Sequence, residues 1–171
     1  KSAPSDAIIL FDGKNLSAWE SVRDKGSAAE WVVNNDGTFT VNKEHGDIQT
    51  KQHFENFQLH IEWCVTVDST GENQGRGNSG VFLQGKYEVQ VLDNYQNETY
   101  SNGQAGSIYN QSRPLVTAMR KPGEWNEYDI IYTAPVFKED GTYRVPPSVT
   151  FIHYGIFVQN HTTILVTTEY I

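Results

Sequence analysis

Phe57-Gln58-Leu59-His60-Ile61-Glu62-Trp63-Cys64-Val65-Thr66-Val67 alternates apolar and polar side chains, with Phe57, Leu59, Ile61, Trp63, Val65 and Val67 in step. Successive side chains of an extended backbone point to opposite faces, so residues 57–67 read as one strand with a buried face and a polar face. Residues 81–93 repeat the pattern. Val81, Leu83, Tyr87, Val89 and Val91 fall on one side, and Gln84, Lys86, Glu88 and Gln90 on the other. Gly85 interrupts this run as a kink or turn.

Outward from these two stretches, further strands are expected at 29–33, 38–41, 124–133, 148–154, 156–159 and 162–170. Turn signals separate them: Asp12-Gly13, Asp36-Gly37, the glycine-rich run from Gly71 to Gly80, Asn102-Gly103, Pro122-Gly123, Asp140-Gly141 and Pro146-Pro147. No window places apolar residues at helical spacing behind a cap. Many short strands at such intervals specify an all-β antiparallel sandwich.

At 171 residues the chain has the size of one domain with one sizeable core. No repeat or linker divides it, so it reads as a single domain over residues 1–171. A formal charge of −8 argues against a partner held by its phosphates, nucleic acid or anionic membrane alike. No apolar run reaches the roughly 20 residues of a spanning helix. The single cysteine, Cys64, cannot form an intramolecular disulfide, and no Cys/His cluster has zinc-site spacing. Lys1-Ser2-Ala3-Pro4-Ser5 lacks the pattern of a signal peptide.

Gly75-Arg76-Gly77-Asn78-Ser79-Gly80 runs directly into the second apolar stretch. A phosphate loop needs different spacing and a following helix, so the run reads instead as a loop leading into a strand. Its glycines allow close backbone packing while Arg76 and Asn78 face a ligand. Glu88 and Gln90 share one strand face, about 7 Å apart at roughly 3.4 Å per residue. That face can be a solvated outer sheet surface, or it can hold Glu88 as a general acid or base. Asp93 has the opposite parity and is expected to cap the following turn. His60 stands out among the histidines because it shares a face with Glu62. Trp63 reads as core, whereas Trp19, Trp31 and Trp125 can be core or sugar-stacking rings.

Several segments taken together resemble the 3-keto-disaccharide hydrolase domain family. They are Leu10-Phe11-Asp12-Gly13-Lys14-Asn15-Leu16 with Trp19, Phe57 to Trp63, Gly75 to Gly80, Tyr87 to Asp93, Gly106-Ser107-Ile108-Tyr109, Pro122 to Ile130 and Ser148 to Asn160. The resemblance follows nearly the whole chain in order. It implies a concanavalin-like jelly roll of the lectin/glucanase type, and an exported bacterial protein of the periplasm or cell surface. Three features depart from the family pattern: Cys64 where arginine is frequent, Tyr154-Gly155 where Asn-Gly is the rule, and an end near Ile171 where the family continues with further strands. The last feature leads to an expectation that the C-terminal strands are lacking.

The function implied by the resemblance is cleavage of 3-keto-glycosides or disaccharides. A ketone at C3 acidifies the C2 proton, so a base can form an enolate and C1 can expel its substituent, with water adding afterwards. Such a site needs a base, a proton donor and groups that stabilise oxygen charge. Glu88 is assigned as base or acid, with Glu62 or His60 as its partner. Arg76, Asn78, Gln90 and Gln84 are assigned to substrate. A divalent metal can take the arginine's part, but no ligand motif supports one. Direct hydrolysis by two carboxylates stays open. The alternative from another class is a non-catalytic glycan-binding module on the same sandwich. Glu88, Gln90, Glu62 and His60 are expected to share one concave face, with Arg76 within reach of a ligand there.

Overall fold

The computed structural model describes residues 3–168. The chain divides into two compact units, one ending at His53 and the other beginning at Phe54.

The first unit is built on two small antiparallel ribbons. β1 (Trp19–Ser21) pairs with β4 (Ile48–Thr50), and β2 (Val32–Val33) pairs with β3 (Phe39–Thr40). Their indole donors are satisfied locally. Trp19 Nε1 donates to the Leu10 carbonyl, and Trp31 Nε1 to that of Gly46. Phe11 meets Phe39 edge to face with centroids 4.8 Å apart, a geometry that adds to simple burial.

The second unit is an antiparallel sandwich. Its larger sheet has the order β12-β11-β8-β5. These strands are β5 (Phe57–Trp63), β8 (Asn126–Thr133), β11 (Ser148–His153) and β12 (Ile156–Thr163). Facing it is the hairpin of β6 (Ser79–Leu83) and β7 (Tyr87–Val91). The core lies between them. Leu83, Tyr87, Val89 and Val91 from the hairpin pack with Tyr128, Ile130, Tyr132, Val149, Phe151 and Val158 from the sheet. Phe57, Leu59, Ile61 and Trp63 join from β5, as the alternation requires. Tyr128 ties the layers together: its ring meets Phe151 edge to face at 4.5 Å, and its hydroxyl donates to the Gln90 carbonyl at 2.9 Å.

Two smaller strands, β9 (Val136–Phe137) and β10 (Tyr143–Val145), pair with each other. Like β1 and β4, they are too short to leave a periodic signal. The all-β antiparallel class is what the sequence specified. Among the described residues the only helical pieces are three short 3-10 turns, and no helix is long and apolar enough to cross a membrane.

The details correct the sequence reading in three places. The first long strand stops at Trp63 instead of Val67, because its partner β8 begins opposite it at Asn126. Val65 then joins a separate small cluster with Ala105 and Met119, and Val67 is 81% exposed. The kink or turn read at Gly85 (φ 64°) is the turn of a hairpin, and it takes in Gln84 (φ 52°), which the alternation had placed with Glu88. Finally, the strand expected at 162–170 is the end of β12 to Thr163. Residues 164–168 are not strand, and 169–170 lie outside the described residues.

The β11–β12 turn places Tyr154 at φ 50° and Gly155 at φ 78°. This left-handed pair suits the twist of a tight hairpin but favours asparagine over tyrosine at the first position. Two contacts hold Tyr154 there. Its amide donates to the Glu127 carbonyl, and the Arg120 guanidinium stacks 4.3 Å from its ring centroid.

Candidate functional site

β7 is buried on both faces. Its odd residues enter the core, so Glu88 and Gln90 point away from it, yet Glu88 is only 4% exposed and Gln90 is fully covered. The cover comes from two loops. Gln90 Nε2 donates to Gln74 Oε1 at 2.8 Å and to the Gly103 carbonyl at 3.2 Å. Gln74 Nε2 donates in turn to the same carbonyl and to Thr99 Oγ1. These bonds clamp the 3-10 turn Ser101–Gly103 over the strand. Beside it, residues 106–109 run along the edge of β7. The amides of Gly106 and Tyr109 donate to the carbonyls of Gln90 and Glu88, and the Gln90 amide donates to the Ser107 carbonyl. Thr168 Oγ1 accepts from the Glu88 amide.

Gly80 creates the room for the Glu88 side chain. A Cβ at that position would stand 2.9 Å from the Glu88 carboxyl carbon and closer still to its Oε1. Tyr100, which follows Thr99, stands near the same carboxylate. Its ring packs so closely on Gly103 that no Cβ fits there, and its hydroxyl donates to the Tyr109 hydroxyl at 2.7 Å. Ionisation of Tyr100 is pushed well up, first by desolvation, then by the bond to Tyr109, with the Tyr109 and Glu88 charges adding.

The other expected site residues are placed as follows. Arg76 is committed to the protein. Its Nε lies 2.8 Å from Oδ2 of the fully buried Asp93, and its Nη2 reaches Asp93 Oδ1 and the Tyr95 carbonyl. Asp93 also accepts from the Tyr95 amide, as a turn cap does. Asn78 Nδ2 donates to the Gln74 carbonyl, holding the loop together. Gln84 leaves the Glu88 face altogether. As a turn residue it accepts from the Tyr132 hydroxyl and donates to the Phe54 carbonyl, toward the larger sheet.

His60 and Glu62 project from the outer face of that larger sheet, because the odd residues of β5 fill the core. His60 Nδ1 lies 2.7 Å from Asp129 Oδ1, and its Nε2 lies 3.7 Å from Glu62 Oε1. The Asp129 hydrogen bond, with help from both carboxylate charges, outweighs desolvation and raises the His60 pKa. The four residues expected on one concave face therefore divide into two pairs. Glu88 and Gln90 lie outside the hairpin layer, His60 and Glu62 lie outside the opposite layer, and the core stands between them. Among the described residues no three His, Cys, Asp or Glu side chains are grouped to hold a metal ion.

Three residues around Glu88 were not singled out from sequence: Gln74, Tyr100 and Tyr109. Tyr109 lies in a segment that carried the family resemblance, but no periodicity marks any of the three.

A family model of 3-keto-alpha-glucoside-1,2-lyase-like domains matches residues 6–169, running through both compact units. The chain is 29% identical to a 3-keto-disaccharide hydrolase of Bacteroides thetaiotaomicron, over 75% of this chain and 54% of the relative. It thus spans about half the length of that curated relative. A solved structure from Parabacteroides distasonis, provisionally named a glycosyl hydrolase, is 72% identical, with a TM-score of 0.95 over 99% of this chain and 70% of that one. A second P. distasonis structure with the same provisional name shares the fold, with a TM-score of 0.62 at 20% identity over 91% of this chain and 72% of that one. The match over nearly the full sequence establishes that this chain belongs to the family of 3-keto-alpha-glucoside-1,2-lyase-like domains.

Proposed function

We propose that this chain carries the sugar-cleaving site of an enzyme acting on 3-keto-glycosides, with Glu88 as the base. The observation that carries this reading is the burial of Glu88, with Tyr100 near its carboxylate and Gln74 and Gly103 clamped onto its face neighbour Gln90, on a strand face that alternation alone would leave in water. An open polar groove would suit a glycan-binding module better. A carboxylate shielded from water and held beside hydroxyls suits proton transfer.

In this reading the carboxylate takes the proton on C2, made acidic by the neighbouring ketone. The electrons left behind form the enolate, and its collapse expels the C1 substituent. Water then adds to the resulting double bond to complete hydrolysis. Gly80 leaves space for the carboxylate, and the Gln90–Gln74 clamp fixes the strand and loop on either side. The family description and the name of the B. thetaiotaomicron relative support the substrate class.

The test is release of free sugar from a 3-keto-disaccharide by the wild type and by Glu88→Gln. A general base contributes about 10²–10⁴-fold, and the variant should lose that much while keeping its thermal melt. A rate unchanged by the substitution would remove Glu88 from the mechanism.

A further inference from the structure

We propose that the Tyr109 hydroxyl is the proton donor to the leaving oxygen, and that the Tyr100 hydroxyl holds it to that task. The proposal rests on the 3-keto-glycoside reading and assigns the proton donor, a role that reading leaves empty.

A tyrosine hydroxyl has a single proton to donate and can also accept. Tyr100 directs its proton at the Tyr109 oxygen over 2.7 Å. The proton of Tyr109 is therefore aimed elsewhere, and the oxygen it would leave behind already receives a hydrogen bond. A donor arranged in this way stabilises the negative charge that appears when the proton departs. The direction of the pair is reinforced by its surroundings. Tyr100 resists ionisation through desolvation, its bond to Tyr109 and the nearby Tyr109 and Glu88 charges, so it keeps its proton and remains the donor.

The Tyr109 backbone and the Tyr100 ring are each held relative to the base. The backbone amide of Tyr109 donates to the carbonyl of Glu88 itself. Tyr100 packs on Gly103, whose carbonyl is held by Gln74 and Gln90. The hydroxyl pair is also reachable, since Tyr100 is 43% exposed and Tyr109 is only partly buried. Tyrosine hydroxyls placed only to fill the core would be enclosed like Tyr128.

The proton balance closes. The Glu88 carboxylate takes the C2 proton to leave the enolate, and as the enolate collapses the C1–oxygen bond breaks and its electron pair goes to the leaving oxygen. The leaving oxygen takes the Tyr109 proton and departs as an alcohol. The protonated Glu88 and the Tyr109 phenolate then exchange one proton and return to their starting states. Water adds hydroxide at C1 and a proton at C2 of the enone.

Two 3-keto-glucosides test the assignment on the full chain, one with a second sugar as leaving group and one with a nitrophenyl group. A nitrophenolate leaves without protonation, whereas a sugar alkoxide does not. Tyr109→Phe should lose about 10²–10⁴-fold on the disaccharide and less than about tenfold on the nitrophenyl substrate. Tyr100→Phe should show the same imbalance at smaller size. Equal losses on both substrates, or none on either, overturn the donor assignment. If Glu88→Gln abolishes both reactions while Tyr109→Phe spares both, only the donor is wrong. A wild type inert toward both substrates overturns the underlying reading together with this proposal.

Discussion

Arg76 Nε stands 2.8 Å from Oδ2 of Asp93, a carboxylate with no exposed surface. The pair anchors the glycine-rich loop to the end of β7, so Arg76 serves the fold before it serves any ligand. Removing one partner of a buried ion pair strands the other charge, at a cost of about 3–5 kcal/mol. Arg76→Met should lower the urea unfolding free energy by that amount. The double variant Arg76→Met/Asp93→Asn should recover part of it. A single-variant loss below about 1 kcal/mol would contradict this account, since that is the size of an exposed pair.

His153 sets a pH dependence of stability. It is fully buried, its Nε2 lies 2.9 Å from Asn126 Oδ1, and the rings of Trp63 and Tyr128 flank it. Desolvation lowers its pKa from 6.5 to about 4. Between these values the unfolded chain binds a proton that the folded chain refuses, so stability is full above about pH 6.5 and falls as pH drops toward 4. At 1.36 kcal/mol per unit the loss is on the order of 3 kcal/mol. Unfolding of wild type and His153→Gln at pH 7 and pH 4.5 isolates this contribution. Parallel pH profiles for the two proteins would exclude His153 as the source.

His60 should behave in the opposite sense. Its pKa is raised, chiefly by the Asp129 hydrogen bond, so its small stabilising contribution is present at low pH and fades as pH rises through the folded value. Asp129→Asn should shift the His60 titration downward in an NMR experiment, and Glu62→Gln should shift it less. Because this cluster and Glu88 lie outside opposite layers, Asp129→Asn should leave turnover within about twofold, the margin allowed for a residue making no contact near the reacting atoms. A large loss of turnover would return His60 to the candidate site.

Gly80→Ala forces the Glu88 carboxylate aside, because the new methyl would sit within 2.9 Å of its carboxyl carbon. Displacement of a reacting group by about 1 Å can cost on the order of 10²-fold in rate. The variant should show that loss in kcat, with KM changing little. An active Gly80→Ala enzyme would mean that Glu88 works from a different position.

Period-2 alternation made the faces of individual strands legible. It assigned Leu59 and Ile61, and likewise Val89 and Val91, to the core side of their strands. Alternation is blind to which layer a strand joins. Glu62 and Glu88 have equivalent parity on their own strands, yet each points out of a different side of the sandwich. Gly85 marked the turn in the sequence, but not that Gln84 shares it, since a left-handed residue removes itself from the alternation it interrupts. The cover over the Glu88–Gln90 face comes from Gln74, Tyr100 and Gly103, residues of irregular backbone that carry no period. The family resemblance reached Tyr109 but could not say what its hydroxyl touches.

The strand order has a consequence for assembly in time. β11 and β12 join through the two-residue turn Tyr154-Gly155, and β8 meets β11 with Thr133 opposite Ser148. These pairings are nearly local, as is the β6–β7 hairpin. Among the described residues β5 pairs only with β8, placing Trp63 opposite Asn126, so the chain between them must be closed into a loop first. Closing such a span carries an entropy cost on the order of 4 kcal/mol before any contact offsets it. The meander of β8, β11 and β12 therefore provides the template, and β5 docks on it late. In kinetic terms, truncation of Leu59 should accelerate unfolding while barely slowing folding, and truncation of Phe151 should do the reverse. High φ-values at Leu59 would reverse this order. The rim of the sheet that carries His60 and Glu62 is thus the last to arrive and the first to fray.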